Sequence, residues 1–135
     1  MLFRSSTAPD LAAICQMLLN GGVYAHQRIL RRTTVAQFTM PQQLSGGTRT
    51  LGWAVPTSGG LSGHYFSAHS FGHTGFTGTS IWIDPEPDRQ LFVVFLTNRV
   101  HPIAAANAMQ QIRGEFHKLG APASSPAGPA ASRRR

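Results

Sequence analysis

Two consecutive strand patterns in the middle of the chain constrain its fold most strongly. Residues 79–83 show strand-like alternation, and residues 91–96 are almost wholly apolar. Between them, residues 84–88 contain two prolines and three acidic residues, which is typical of a hairpin connection. The sequence therefore predicts two antiparallel strands, and the apolar second strand is expected at the centre of a sheet with both faces buried.

Helices are predicted on both sides of these strands. Thr7, Pro9 and Asp10 are typical of a helix start, and apolar residues then recur at three- and four-residue spacing until Gly21 and Gly22. A second long helix is predicted over residues 103–119. Its expected inward-facing residues are Ala106, Met109, Ile112 and Phe116.

The segments between the first helix and the strands are less regular. A short helix is predicted to begin at a capping Thr33 and to end before Pro41. A strand is predicted over residues 51–55, and residues 58–70 are expected to be irregular with a further strand near their end. The whole pattern predicts an α+β fold, in which an N-terminal and a C-terminal helix pack on an antiparallel sheet.

One folded domain is expected over residues 1–120, followed by a disordered tail over residues 121–135. The tail is rich in alanine, proline and serine and ends in Arg133 to Arg135. These arginines supply part of the net charge of +7, and Arg28, Arg31 and Arg32 form the only internal basic cluster. Because no basic stripe is interleaved with aromatic residues, no nucleic-acid partner is predicted.

Cysteine, histidine and hydropathy patterns exclude several further classes of protein. Cys15 is the only cysteine, so no internal disulfide can form, and its apolar helical context predicts a buried thiol. His64, His69 and His73 have no nearby carboxylate or cysteine in a ligand pattern, so neither a metal nor a cofactor is predicted. No window approaches the roughly 20 apolar residues of a membrane span. No signal-peptide pattern is present either, and the compartment is left open.

The segment Phe71 to Gly78 carries the candidate site. It places an imidazole, a hydroxyl and a glycine in succession directly before a strand pattern. Gly75 has no side chain, so a substrate could lie along the strand and pair with its backbone. Thr74 offers a hydroxyl to a substrate carboxylate or carbonyl, and His73 can donate a hydrogen bond into the site. The alternative is that the glycines of this segment only mark a kinked strand or a bulge.

The triplet His73-Thr74-Gly75 resembles the third active-site element of serine β-lactamases and penicillin-binding proteins. That element is usually Lys-Thr-Gly, and in many class C-like esterases and peptidases it is His-Thr-Gly. Residues 6–22, 29–38 and 93–102 also resemble the C-terminal third of this superfamily in order and spacing. The resemblance implies a partial β-lactamase/transpeptidase-like fold. It also implies that the backbone N–H of Phe76 is one of two oxyanion-hole donors.

Two motifs of that superfamily have no counterpart in these residues. The nucleophile motif is Ser-x-x-Lys, but Lys118 is the only lysine and Glu115 stands three residues before it. The second motif begins with a tyrosine far upstream of the triplet, whereas Tyr65 lies only eight residues before His73. The chain therefore carries neither the nucleophile nor the catalytic tyrosine that the resemblance would require.

Three functional hypotheses follow. In the first, the chain is a fragment of a serine hydrolase that cleaves ester, amide or peptide substrates through an acyl-serine intermediate, and it is inactive alone. Val100 and Ile103 stand where true cephalosporinases carry asparagines, which favours an esterase or a D-amino-acid peptidase relative. In the second, the chain docks onto a separate N-terminal half in trans. In the third, it is a free-standing basic module that binds anionic surfaces.

Overall fold

The computed structural model describes residues 5–56, 65–100 and 106–120, and over these the chain is an α+β structure. Two long helices and one short helix accompany a two-stranded hairpin (β1–β2), a second such hairpin (β3–β4) and a three-stranded sheet of order β5-β6-β7. The predicted tail, His64 and residues 101–105 lie outside the described residues. The elements are α1 (Ala8–Leu19), β1 (Val23–Tyr24), β2 (Gln27–Arg28), α2 (Arg32–Thr39), β3 (Gln42–Leu44), β4 (Gly47–Arg49), β5 (Phe71–Thr74), β6 (Ser80–Asp84), β7 (Leu91–Phe95) and α3 (Ala106–Gly120).

Helix α1 begins and ends where its local signals predict. The Thr7 hydroxyl oxygen accepts the Asp10 backbone N–H at 3.4 Å, which satisfies one of the free amides of the first turn. At the other end, the N–H of Gly22 bonds to the carbonyl of Met17 and the N–H of Gly21 to that of Leu18, at 2.8 and 3.0 Å. These two bonds are the Schellman arrangement that closes a helix, and Gly21 adopts the left-handed φ of 61° that it needs.

Two predictions between α1 and the sheet were wrong in detail. Thr33 does not cap α2, because Arg31 occupies the N-cap position in extended conformation and its carbonyl already accepts the Val35 N–H. Residues 51–55 do not form a strand either. Gly46 and Gly47, which precede this segment, lie in the β3–β4 hairpin. Of the predicted strand, only Ala54 makes ladder-like contacts, as isolated bridges to Arg49 and Gly72.

The predicted hairpin of two long strands is confirmed, but its position in the sheet differs from the prediction. Strand β6 pairs with both β5 and β7, so β6 is the central strand, and its Trp82, Ile83 and Asp84 are fully buried. Strand β7, expected at the centre, is an edge strand among the described residues, and only its Val93 is buried. Strand β7 therefore carries more apolar surface than the described neighbouring elements cover.

The two terminal helices pack on opposite faces of this sheet. Successive side chains of a strand point to opposite faces of the sheet. Phe71 and Ile83 point to the same face, where they form a buried cluster with Cys15 of α1. Burial raises the pKa of the Cys15 thiol to about 11, as expected for an unreactive cysteine. On the opposite side, Phe116 of α3 stacks against Phe95 with ring centroids 4.6 Å apart.

The inward face of α3 is more polar than the sequence predicts. Met109 is buried as expected, but Ile112 is 50% exposed. Its place is taken by Arg113 and His117, which are 6% and 0% exposed. Both side chains contact polar groups at the start of β6 or in the turn before it. Arg113 donates to the Gly78 carbonyl, and the His117 ring lies 3.5 Å from the Ser80 hydroxyl. Distant partners therefore determine which residues of this helix are buried.

A buried carboxylate joins the loop before β5 to the end of β6. Asp84 accepts hydrogen bonds from the Ser67 N–H at 2.8 Å and the Ser67 hydroxyl at 2.6 Å, and the Glu86 N–H lies 3.3 Å away. Arg89 lies 3.5 Å from the same carboxylate and also donates to the Tyr65 carbonyl at 2.6 Å. A buried charge is tolerated only with such partners, so this cluster fixes the loop against the hairpin.

Replacing this carboxylate should destabilise the chain strongly. In Asp84→Asn, one acceptor oxygen becomes an amide donor facing donors, and we expect the free energy of unfolding to fall by about 1–3 kcal/mol. Urea denaturation of the 135-residue chain measures the change. Asp88→Asn is the matched control, because Asp88 is an exposed acid in the same connection. Equal stability of the two variants would contradict the role of Asp84.

The exposed pair of His69 and Glu86 gives a pH-dependent signal. Glu86 accepts a hydrogen bond from His69 Nδ1 and, by this bond and its charge, raises the pKa of His69 above the ordinary value of about 6.5. Because the folded pKa is raised, the pair stabilises the fold below about pH 6.5, and this contribution is lost as the pH rises through the folded pKa. NMR titration of His69 should show the raised pKa, Glu86→Gln should lower it, and Asp88→Asn should not.

Candidate active site

The open edge of β5 carries the predicted triplet. On this side Gly72 exchanges two backbone bonds with Ala54, the Ala54 N–H to the Gly72 carbonyl at 2.7 Å and the return bond at 3.0 Å. Backbone groups alternate direction along a strand, so the N–H and carbonyl of Thr74 face the same outer side. The four β5–β6 pairs run one to one from Phe71 to Thr74, which excludes a bulge in β5.

The turn after the triplet aims the Phe76 N–H at this outer side. The Gly75 N–H bonds to the Thr79 carbonyl at 2.8 Å, and the Gly78 N–H bonds to the Gly75 carbonyl at 3.0 Å. In a trans peptide the N–H points opposite to the carbonyl, so holding the Gly75 carbonyl inward directs the Phe76 N–H outward. Among the described residues no group accepts a hydrogen bond from it.

The His73 ring is oriented by its own neighbour. Its Nδ1 lies 2.8 Å from the Thr74 carbonyl, which is an acceptor, so Nδ1 carries the proton and donates it. The neutral ring therefore presents Nε2 to its surroundings as a hydrogen-bond acceptor, and only the protonated ring presents a donor. Nδ1 is thus used within β5, and a contact of His73 with a bound molecule would be made through Nε2.

A hydroxyl-rich cleft lies between the start of α1 and the triplet. Its volume is about 410 Å³. Its lining includes the hydroxyl-bearing residues Ser6, Thr74, Thr77 and Thr79 beside Gly75, and the apolar residues Leu11, Ile81 and Leu96. Hydroxyl groups can donate to or accept from a polar substrate without adding a fixed charge.

Close approach explains two glycines of the segment. A Cβ at Gly72 would lie 2.3 Å from the Ile81 carbonyl oxygen and 2.4 Å from the Trp82 ring. A Cβ at Gly75 would lie 2.2 Å from the Thr79 hydroxyl. A side chain at Gly75 would therefore collide with Thr79, the residue before β6, in addition to any effect on a substrate.

Two arginines that the sequence analysis did not single out contact this turn. Arg99 Nε donates to the Phe76 carbonyl at 2.6 Å, and Arg113 Nη2 donates to the Gly78 carbonyl at 2.9 Å. Burial and the neighbouring Arg99 charge lower the pKa of Arg113. Arg113 stands four residues after the inward-facing Met109, and that spacing is the signal by which it could have been found.

Comparison with known proteins identifies the family. The model of the Beta-lactamase family matches residues 4–117 of the chain. The chain belongs to the beta-lactamase family. This finding confirms the membership that the His73-Thr74-Gly75 triplet and its neighbouring stretches imply.

Relatives from Salmonella are similar to a large part of this beta-lactamase-family chain. Proteins of Salmonella typhi, Salmonella paratyphi B and Salmonella newport, each named "Putative D-alanyl-D-alanine carboxypeptidase", are 39% identical to it over 109 residues. Each alignment covers 73% of this chain and 23% of the relative. The chain thus spans about a quarter of the length of these curated relatives.

Other candidate residues of this beta-lactamase-family chain lie away from the triplet. His69 pairs with Glu86 at the opposite end of β5, and the Tyr65 carbonyl is bonded to Arg89 there. In the part of the chain that the structure describes, no three metal-ligating side chains are grouped to hold an ion. No helix in the same part has the length and apolar character to cross a membrane.

The packing of Gly72 against Trp82 makes a stability prediction. Gly72→Ala forces a Cβ into a backbone oxygen and an indole ring, and we expect a loss of about 1–3 kcal/mol in the free energy of unfolding. Gly46→Ala is the matched control, since a Cβ there meets nothing within 4 Å. Chemical denaturation compares the two, and an unchanged Gly72→Ala variant would show that the β5–β6 contact is looser than described.

Proposed function

We propose that this chain is the C-terminal part of a β-lactamase-type serine hydrolase and supplies its substrate-binding strand and half of its oxyanion hole. The observation that carries the proposal is the outer edge of β5. There the Thr74 backbone N–H and the Phe76 N–H face the same open side. A substrate that lies along this edge would face these two N–H donors with its carbonyl oxygens.

The donors suit two different parts of a substrate. The Thr74 N–H can pair with a substrate backbone as an added strand would, while the Thr74 carbonyl is already engaged by His73. The Phe76 N–H, two residues further along the chain, suits the oxygen that becomes negative when a nucleophile attacks the carbonyl. The second oxyanion donor would be the N–H of the nucleophilic serine, which belongs to residues outside this chain.

The substrate class follows from the cleft and from the relatives. A D-amino-acid peptide fits the proposal because the Salmonella relatives are named as D-alanyl-D-alanine carboxypeptidases. The Thr74 and Thr77 hydroxyls of the cleft can bind a peptide carboxylate or carbonyl. An ester substrate uses the same donors and is the alternative within this class.

The chemical step requires groups that these residues do not contain. A serine activated by lysine would attack the carbonyl, form an acyl-serine and release the amine or alcohol, and water would then hydrolyse the acyl group. The only lysine, Lys118, follows Glu115 by three residues, so no Ser-x-x-Lys motif exists here. We therefore expect the 135 residues to be inactive alone.

One observation favours completion by a separate half in trans as the second candidate. An apolar cleft of about 360 Å³ lies beside the outer part of β7, and its lining includes Phe92, Val94 and Leu119. Leu119 is 84% exposed. Docking of a further segment on this face would cover it. The basic-module alternative is less favoured, because Arg28 is already bonded to the Gly21 and Leu30 carbonyls.

Reconstitution tests the proposed hydrolase. The chain is joined to, or co-expressed with, the serine-bearing part of the Salmonella typhi relative, and hydrolysis of D-alanyl-D-alanine, a p-nitrophenyl ester and a chromogenic cephalosporin is measured. We expect turnover of the dipeptide or the ester by the assembled protein and none by either part alone. A folded assembly without turnover of any substrate would refute the proposal.

The Phe76 donor can be removed without disturbing its turn. Phe76 occupies the second position of the Gly75–Gly78 turn, where proline is favoured, so Phe76→Pro deletes the N–H and keeps the fold. We expect kcat of the assembled enzyme to fall by roughly 100- to 1000-fold. Phe76→Ala, which keeps the N–H and loses the ring, is the matched control. Equal rates for the two variants would exclude Phe76 as an oxyanion donor.

A further inference from the structure

Three successive carbonyls of the turn are bonded by two arginine residues. The Phe76 carbonyl accepts from Arg99 Nε at 2.6 Å, the Thr77 carbonyl from the Arg99 backbone N–H at 2.8 Å, and the Gly78 carbonyl from Arg113 Nη2 at 2.9 Å. A surface turn ordinarily leaves its carbonyls to water. Here each of the three has a fixed donor from another part of the fold.

The two arginines reach the turn from different elements. Arg99 follows β7, is half-buried, and places its guanidinium 5.0 Å from the centroid of the Phe76 ring. Arg113 comes from α3 and is 6% exposed. A Cβ at Gly78 would lie 3.3 Å from the Arg99 stem, so the turn is also packed against the arginine.

The arrangement is costly for a merely structural contact. Neither arginine has a carboxylate partner among the described residues, where the ion pairs are His69–Glu86 and Arg89–Asp84. Burial of the Arg113 guanidinium and, second, repulsion by the Arg99 charge lower the pKa of Arg113. Arg113 Nε also lacks a hydrogen-bond partner within the described part of the chain. Hydrogen bonds to the turn carbonyls thus keep the two guanidinium groups near one another despite their like charges.

We propose that Arg99 and Arg113 are positioning residues for the Phe76 N–H, an inference that rests on the proposed function. Arg99 fixes the peptide planes on both sides of Thr77, because it bonds the Phe76 carbonyl through Nε and the Thr77 carbonyl through its backbone N–H. Arg113 fixes the next plane, which carries the Gly78 carbonyl. Gly78 in turn holds the Gly75 carbonyl, whose peptide carries the Phe76 N–H. Rotation of that N–H away from the β5 edge would break the bond between Gly78 and Gly75, and the arginines oppose it by holding the following peptide planes in place.

NMR relaxation of the 135-residue chain tests the positioning directly. In wild type we expect backbone order parameters of about 0.85 for Phe76 and Gly78, and values below about 0.6 after Arg99→Met. Arg113→Met should act in the same direction, and Arg99→Lys should restore part of the order. Arg89→Met is the matched control, since Arg89 also donates to a backbone carbonyl but at the opposite end of the hairpin.

The assembled enzyme supplies the second readout. Loss of positioning should lower kcat on the order of 10- to 100-fold with KM little changed. Turn order that is unchanged in Arg99→Met overturns the inference, and so does a mobile turn with an unchanged kcat. Arg99 is only half-buried, so its variants should fold, and they test the positioning role even if Arg113→Met fails to fold. If the assembly shows no turnover, the proposed function fails, and the order parameters still decide whether the arginines hold the turn.

Discussion

The buried carboxylate of Asp84 is the interaction on which the geometry of the candidate site depends. It holds the Ser67 backbone and hydroxyl, and these lie four residues before β5 begins. The loop is thereby fixed where the chain enters the sheet, and Phe71 is placed opposite Ile83. A slip of one residue would turn every side chain of β5 to the other face and would move the Thr74 backbone from the open edge to the β6 side.

The two ends of the β5–β6 pair are stabilised by charges of opposite sign. At one end an anion, Asp84, is surrounded by backbone and hydroxyl donors. At the other end the guanidinium groups of two cations, Arg99 and Arg113, each donate to a backbone carbonyl. Main-chain groups contribute at both ends, with the Ser67 hydroxyl and Arg89 assisting at the Asp84 end. The strand that carries the triplet is therefore held at both of its ends, while its outer edge stays open.

Local signals predicted the elements, and nonlocal contacts decided their arrangement. The ends of α1 could be predicted because Thr7 and Gly21 act within one turn of the chain. The position of β7 could not be predicted, because an apolar strand has the same sequence pattern at the centre of a sheet and at an edge. The burial of Arg113 in place of Ile112 depends on a carbonyl 35 residues away. The triplet itself could be identified through family resemblance. The assignment of a proton to His73 Nδ1 depends on the position of the Thr74 carbonyl, which the sequence does not give.

The contact between the His73 ring and the Thr74 carbonyl has a consequence for association. An exposed strand edge recruits another strand by offering donors and acceptors in alternation. On β5, Gly72 is paired with Ala54, and the Thr74 acceptor is covered by its neighbour's imidazole. The remaining groups, the N–H of Thr74 and that of Phe76, are both donors. Such an edge offers donors to carbonyl and carboxylate oxygens, but it is a poor template for a full strand of a second chain, which needs acceptors in alternation with donors.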